Sequence, residues 1–386
     1  MEIFYKNLNT IPYNIYYSNR NKIKTVILQA TPFCNIDCSY CYLDNRNSKI
    51  KMSDSKILEF IENLLNYEML ASEIDIIWHC GEPLILGADY YNNIITLISE
   101  ILKNKIKVTY QIQTNGTLLN ESWINVLTSK KIFFGISLDG PKEIHDKYRK
   151  DRKGNGTFDN VISGLKILKE TNTQFSVITV LCQETLENPK ILSDFFESLD
   201  IKYISLNFPE IEGINKKGLP YNNSTNLKIF NFVKFFYDKR SEDNGLKIFQ
   251  IEHTIKSILK NTSPPILSEH IPFSTLTISS NGDLYTFSPE FLGFSHKKYG
   301  SFKIGNINNY DFNLDKINNF KDEIERGVKN CENSCEYFVI CGGGHPASKF
   351  FEQGNMECSV HRSCELNIKI LTDSISRLIF NNLSNK

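Results

Sequence analysis

Residues 25–42 read TVILQATPFCNIDCSYCY: a short apolar, β-branched run, then Cys34, Cys38 and Cys41 in close succession. Residues 25–30 are predicted to form a buried strand, since a brief apolar run bounded by turn residues suits the interior of a sheet. The cysteines then lie on the loop that leaves the strand. The chain repeats this rhythm, with further strands predicted at 74–78, 108–113, 132–138, 175–181 and 203–208. Helices are predicted at 52–67, 90–102, 121–128, 158–169, 190–199 and 227–237. In the first of these Ile57, Leu58, Phe60, Ile61, Leu64 and Leu65 share one face, with Ser53 as N-cap. Six βα units in succession imply an α/β fold with a parallel sheet and right-handed crossovers. An open doubly wound sheet and an incomplete barrel both satisfy the pattern. In either, ligands collect at the C-terminal ends of the strands.

After residue 240 the rhythm breaks. Residues 241–266 read as a connector, with turn signals at Asn244-Gly245 and Pro264-Pro265. Residues 273–287 read as a hairpin around Asn281-Gly282, and a helix is predicted at 366–379. The chain thus divides into an N-terminal extension (1–23), an α/β unit (24–240), a connector (241–266) and a cysteine-rich unit (267–386).

Lys and Arg total 44, as do Asp and Glu, so nucleic acid is not an expected partner: phosphate binding calls for a basic excess. No apolar run approaches the ~18 residues of a membrane span, and the first twenty residues lack the apolar core of a signal peptide. A cytoplasmic protein is the expectation. In a reducing compartment its ten cysteines point to metal or catalysis rather than to disulfides. Three lie at 34–41, five at 331–364, and Cys80 and Cys182 stand alone, so two metal sites are expected.

Cys34, Cys38 and Cys41 form a C-x3-C-x2-C run. Thiolates hold iron–sulfur clusters, usually four to a [4Fe–4S] core, and three leave one iron open. Zinc is the alternative, although it wants four ligands, commonly in C-x2-C pairs. Followed by the aromatic Tyr42, the run resembles the signature of the radical S-adenosylmethionine (SAM) superfamily. That resemblance implies that the open iron chelates SAM and passes an electron to its sulfonium.

The resemblance extends along the chain. Cys80-Gly81-Glu82-Pro83 resembles the family's Gly-Gly-Glu-Pro motif, which binds the SAM amino group; Cys80 replaces the first glycine. Gln113-Thr114-Asn115-Gly116 resembles its T-N-G segment. Ser137-Leu138-Asp139-Gly140 resembles its S-x-D-G segment near the SAM ribose, and Arg149 an arginine that meets the SAM carboxylate. Gly81, Glu82, Pro83, Asn115, Ser137, Asp139 and Arg149 are therefore the expected cofactor-binding residues. Singly, each is weak, since an acid or Asn after a strand is more often a cap or turn residue; their order behind the cysteine triad carries the resemblance.

Cys331, Cys335 and Cys341-Gly342-Gly343-Gly344, followed by Cys358 and Cys364, resemble the SPASM extension of peptide-modifying radical SAM enzymes. A full extension holds two auxiliary clusters. Here the hairpin lacks cysteine, with Phe287 where one is sought, and Gly344 stands where another is expected. The resemblance then implies one auxiliary [4Fe–4S] cluster, held by Cys331, Cys335, Cys341 and Cys364. Cys358 competes for the fourth place, and a structural zinc is the alternative. The expected architecture is a partial (β/α)6 TIM-type barrel followed by a cysteine-rich SPASM-like domain.

Residues 77–84, 207–213, 286–293 and 341–349 look like the GRRM-system and cyclophane-forming maturases, which act on ribosomally made precursor peptides. The implied chemistry is a 5′-deoxyadenosyl radical that removes a Cβ hydrogen, after which the carbon radical attacks a nearby aromatic ring. The implied partners are a precursor peptide and an external electron donor such as flavodoxin or ferredoxin. Too few residues precede the first strand for the winged-helix module that binds leader peptides in many relatives. Either the SPASM-like region or a separate leader-binding protein then recognises the peptide. Residues 111–116 and 139–141 also resemble sulfatase-maturing enzymes. Peptide epimerisation, thioether formation and a non-catalytic cluster-bearing scaffold are the other readings. Glu210 and Glu212 follow the sixth strand, where they read equally as turn caps, so no catalytic base is assigned.

Overall fold

The computed structural model describes residues 10–12, 22–219, 222–240, 242, 245–260, 264–309 and 311–384. Residues 10–12, 22 and 23 apart, the N-terminal extension lies outside the described residues, as does Asn244 of the predicted turn. The sheet comprises β1 (Thr10–Pro12), β2 (Ile23–Leu28), β3 (Leu70–Trp78), β4 (Lys107–Thr114), β5 (Ile132–Ser137), β6 (Phe175–Val180), β7 (Tyr203–Asn207) and β8 (Lys247–Ile248). From β2 to β8 the strands lie side by side in chain order, all parallel. This is a barrel's progression, but β8 does not pair back onto β2 and the sheet stays open.

The crossover helices are α1 (Asp54–Asn66), α2 (Ala88–Leu102), α3 (Ile124–Ser129), α4 (Lys142–Tyr148), α5 (Phe158–Glu170), α6 (Gln183–Glu187), α7 (Lys190–Ser198) and α8 (Asn223–Lys239). On α1 the predicted face is the buried one, with Ile57, Phe60, Ile61 and Leu64 inside. Ser53 occupies the N-cap, yet its hydroxyl pairs with Ser55 Oγ at 3.0 Å and does not cap the helix. The helix predicted over 121–128 opens as a 3-10 turn, Glu121–Trp123, before α3 begins. Ile76, Trp78, Ile112, Phe134, Ile136 and Val177 are fully covered, as strands packed between layers require.

The stretch read as a connector carries β8, which extends the parallel run beyond β7, and α9 (Phe249–Lys260). A two-residue strand has no periodicity to reveal it. The predicted hairpin is β9 (Thr275–Ile278) and β10 (Asp283–Thr286). It does not stand apart: β9 pairs parallel with β2, so the C-terminal unit continues the same sheet from the β2 edge. β11 (Ser295–His296) and β12 (Gly300–Ser301) form a separate ribbon. β13 (Gly305–Asn306), β14 (Asp311–Asn313) and β1 then complete the main sheet beyond β10.

The cysteine-rich unit adds α10 (Leu314–Ser334), α11 (Phe338–Cys341), α12 (Pro346–Gln353), α13 (Arg362–Cys364) and α14 (Leu371–Ser384), the last preceded by a π-helical stretch, Glu365–Ile370. This unit has its own aromatic core of Tyr285, Phe287, Phe291, Phe302, Phe320 and Phe350. The Phe291 and Phe302 rings stack at 4.5 Å and 5°, and Phe302 stacks on Phe320 at 5.2 Å. Among the described residues no helix is long and apolar enough to cross a membrane.

Candidate active site at the mouth of the sheet

The loops after β2, β3, β4 and β5 converge at the C-terminal ends of the strands. The cysteine loop is laid along residues 148–151 by backbone bonds, Asp37 N to Lys150 O at 2.7 Å and Ser39 N to Tyr148 O at 3.0 Å. Arg152 clamps it further, donating to Cys34 O at 2.9 Å and to Arg46 O at 2.6 Å. Burial pushes the Cys34 thiol up to about 12 and the Cys38 thiol up to about 11, the Arg149 charge opposing in the second case. Thiolates in this loop therefore call for added positive charge, which bound iron supplies. The donor set is three soft sulfurs. Among the described residues no three His, Cys, Asp or Glu side chains gather on one metal ion. Three thiols on one loop are a donor set that suits an iron–sulfur core.

The loop after β3 is held from beneath. Gly81 has φ +138°, and a Cβ there would stand 2.2 Å from Thr31 O, so only glycine fits. Glu82 is 1% exposed, and its carboxyl accepts three hydrogen bonds: Leu84 N at 2.9 Å, Thr114 Oγ1 at 2.6 Å and Asn115 N at 2.9 Å. Burial nonetheless pushes it up to about 7. Glu82 thereby ties the β3 loop to the β4 loop, and Pro83, whose carbonyl accepts from Tyr91 OH at 2.9 Å, opens a 3-10 turn. Asn115 Nδ2 donates to Asn35 Oδ1 at 2.9 Å and lies 3.8 Å from Cys34 Sγ.

Cys80 takes the left-handed region at φ 67°, uncommon for a residue with a side chain. It is fully buried, its sulfur 3.8 Å from Tyr42 OH, which in turn lies 3.2 Å from His79 Nε2. Burial pushes the Cys80 thiol up and draws His79 down to about 4, so both stay neutral near pH 7.

On the β5 loop, Asp139 meets Arg149 with two hydrogen bonds, from Nε at 2.9 Å and Nη2 at 3.1 Å, both residues being buried. Val180 N and the Tyr40 hydroxyl complete its shell. Arg149 Nη1 reaches within 3.9 Å of Cys38 Sγ, and the guanidinium lies 5.3 Å from the Tyr40 ring. Ser137 Oγ accepts from Gln113 Nε2 at 3.5 Å. Asn115 and Arg149 thus contact sulfurs of the triad directly. Glu82 and Asp139 act one residue further out, as the groups that hold Asn115 and Arg149.

Cys331 ends a turn of α10, Cys335 is its C-cap, Cys341 ends α11, and Cys364 lies on α13. Burial, then the neighbouring Cys341, push the Cys364 thiol up to about 12, with Cys335 adding to the effect. Cys358 faces Cys331 instead. All five cysteines therefore lie in one region, Cys364 acting on the side of Cys341 and Cys335 and Cys358 on that of Cys331.

A further set of side chains joins the two regions. Ser348 Oγ lies 3.1 Å from Glu210 Oε2 and 3.3 Å from Glu212 Oε1, and Asn367 Nδ2 donates to Glu210 Oε1 at 2.7 Å. Burial, then the neighbouring Glu210 and Glu290, push the Glu212 carboxyl well above the usual carboxylate range. The loop carrying Glu210 and Glu212 packs on the cysteine loop through Ile214 N to Tyr42 O at 3.1 Å. Sequence reading gave no role to Glu290, Ser348, Asn367, Tyr40 or Arg152; Tyr40 lies within the cysteine run and Glu290 and Ser348 within the segments 286–293 and 341–349, but local pattern does not say what these residues meet.

A model of the Radical SAM superfamily matches residues 28–196. The cysteine-type anaerobic sulfatase-maturating enzyme of Clostridium novyi is 28% identical over 371 residues, covering 91% of this chain and 96% of that protein. Native anSMEcpe, solved with bound AdoMet and Kp18Cys peptide, superposes with a TM-score of 0.76 at 22% identity, covering 95% of this chain and 100% of that one. Streptococcus suis SuiB, solved bound to precursor peptide SuiA, gives 0.60 at 18% identity, covering 88% and 75%. At these identities the two structures establish a shared fold.

Proposed function

The chain belongs to the radical SAM superfamily, and we propose that this radical SAM enzyme modifies a peptide. The observation that carries the peptide reading is the junction of two units. The cysteine-rich unit continues the sheet at β2, and its Ser348 and Asn367 bond to Glu210 on the loop beside the cysteine triad. anSMEcpe and SuiB, which share the overall fold, were solved with peptides bound.

When bound, a [4Fe–4S] cluster on Cys34, Cys38 and Cys41 together with SAM supplies a radical able to take a carbon-bound hydrogen. The chain's own residues prepare the site. Asp139 holds Arg149 with its charge toward Cys38, and Glu82 fixes the backbone of the β3 and β4 loops against each other. Glu82 shapes the SAM pocket through Gly81, Pro83 and Asn115, and its Oε2, which accepts one bond from Asn115 N, keeps acceptor capacity for the SAM amino group. Cys331, Cys335, Cys341 and Cys364 would hold the auxiliary cluster.

The bond formed is read as a C–C crosslink between an aromatic ring and a nearby Cβ. Supporting it, Phe287 is buried in the aromatic core where a second auxiliary cluster would need a cysteine. Formylglycine formation is the second reading, favoured by the likeness to the Clostridium novyi enzyme over nearly both full lengths. Anaerobic incubation with SAM, a reductant and candidate peptides separates them. The crosslink product has lost two hydrogens, resists fragmentation between the joined residues and ignores carbonyl reagents. A product tagged by a hydrazide reagent would replace the crosslink with formylglycine. A product unchanged in mass in H2O but heavier by one deuterium when the reaction is run in D2O would point to epimerisation and sink both.

A further inference from the structure

Lys349 lies on α12 and is 2% exposed. Its ammonium has three donors but, among the described residues, one hydrogen-bond acceptor: Cys331 Sγ at 3.6 Å. Among these residues no carboxylate stands within ion-pair distance of it. The contrast is with Arg149, whose buried charge Asp139 meets with two hydrogen bonds. Gly327, one turn before Cys331 on the same face of α10, leaves room for the ammonium, since a Cβ there would lie 3.2 Å from Nζ. A buried cation without an anion is among the least tolerable arrangements in a folded protein. Its one acceptor among the described residues is a sulfur, so the anion it meets is one carried on that sulfur.

We propose that Lys349 is the built-in counter-charge of the auxiliary cluster, a positioning residue whose ammonium faces the Cys331 corner and raises the cluster's reduction potential. This rests on the reading of Cys331, Cys335, Cys341 and Cys364 as ligands of an iron–sulfur cluster. Adding an electron to an anionic cluster increases its negative charge, and a nearby cation or a hydrogen bond to a ligand sulfur stabilises that state. Lys349 therefore biases the cluster toward accepting an electron.

The test uses the full chain carrying Cys34, Cys38 and Cys41 replaced by Ala, so that any cluster present is the auxiliary one. Lys349, Lys349→Met and Lys349→Arg forms are reconstituted anaerobically, assayed for iron, and titrated against potential by electron paramagnetic resonance. With iron content equal, Lys349→Met should lower the midpoint potential and shift the resonance of the reduced cluster, while Lys349→Arg should stay close to the parent. An unchanged potential in Lys349→Met at full iron content would overturn the proposal. If Lys349→Met loses its iron, Lys349→Arg decides: retained iron and potential support the counter-charge, and loss in both variants overturns it. A parent form that binds no iron would overturn the cluster reading itself, and the iron assay reveals that outcome before any potential is measured.

Discussion

Asp139→Asn should destabilise the protein by about 3–5 kcal/mol, the cost of leaving a buried charge without its partner. The geometry shows why Asn cannot substitute. Oδ1 accepts from Arg149 Nη2 at 3.1 Å and Val180 N at 3.0 Å, while Oδ2 accepts from Arg149 Nε at 2.9 Å and the Tyr40 hydroxyl. An amide can keep the first oxygen, but its NH2 then confronts the Arg149 Nε–H, and the Tyr40 hydroxyl must turn to accept. Domain stabilities are about 5–15 kcal/mol, so the loss is a large fraction of the total. The assay is anaerobic urea unfolding of the reduced, iron-free chain, followed by circular dichroism. A double variant, Asp139→Leu with Arg149→Met, should recover most of the loss, because apolar groups of similar volume replace a pair that was costly to desolvate. Its iron affinity should nonetheless stay low, since Arg149 Nη1 also lies 3.9 Å from Cys38 Sγ. A single-variant loss under about 1 kcal/mol, or a double variant no more stable than the single, would refute the reasoning.

Burial raises Glu82 from 4.5 to about 7, so the folded chain keeps a proton that the unfolded chain releases in that interval. Its contribution is full below pH 4.5 and lost as pH climbs to 7. Comparison with Glu82→Gln should show the stability gap moving in favour of Gln by about 3 kcal/mol across this window and level above it. A flat gap would mean that the three donors already hold the carboxylate ionised at low pH. Cys80→Gly should keep both iron and SAM cleavage, because relief of the left-handed backbone, about 1 kcal/mol, offsets the lost buried thiol; loss of iron would make Cys80 a ligand. Replacing Cys331, Cys335 and Cys341 together by Ala should halve the iron, from about eight per chain to about four. The unit should stay soluble, since its stacked phenylalanine core does not depend on the thiols. About twelve irons in the parent would mean a third cluster with other ligands, and zinc in place of half the iron would leave only the SAM cluster.

Local pattern carries the parallel run, the cysteine triad on the loop after its first strand, and the order of the loops that follow. Strand and helix periodicities are properties of neighbouring residues, and C-x3-C-x2-C is a spacing within one loop. Alternation also tells that Glu82, Asn115 and Asp139 follow strands, hence that they share one end of the sheet. It does not tell what they touch. Glu82 reads as a ligand contact, and only the folded chain shows that its carboxyl also ties Leu84, Thr114 and Asn115 together. Other features arise from pairings between distant segments. β9 docks on β2 across some 250 residues, β8 is too short to show a period, and Tyr40 and Arg149 meet at Asp139 from different loops. The same holds for Lys349 against Cys331 and for Ser348 against Glu210. A chain written in one dimension specifies which residues can be buried, but which buried charge meets which partner is decided only when remote loops close over one another and exclude water.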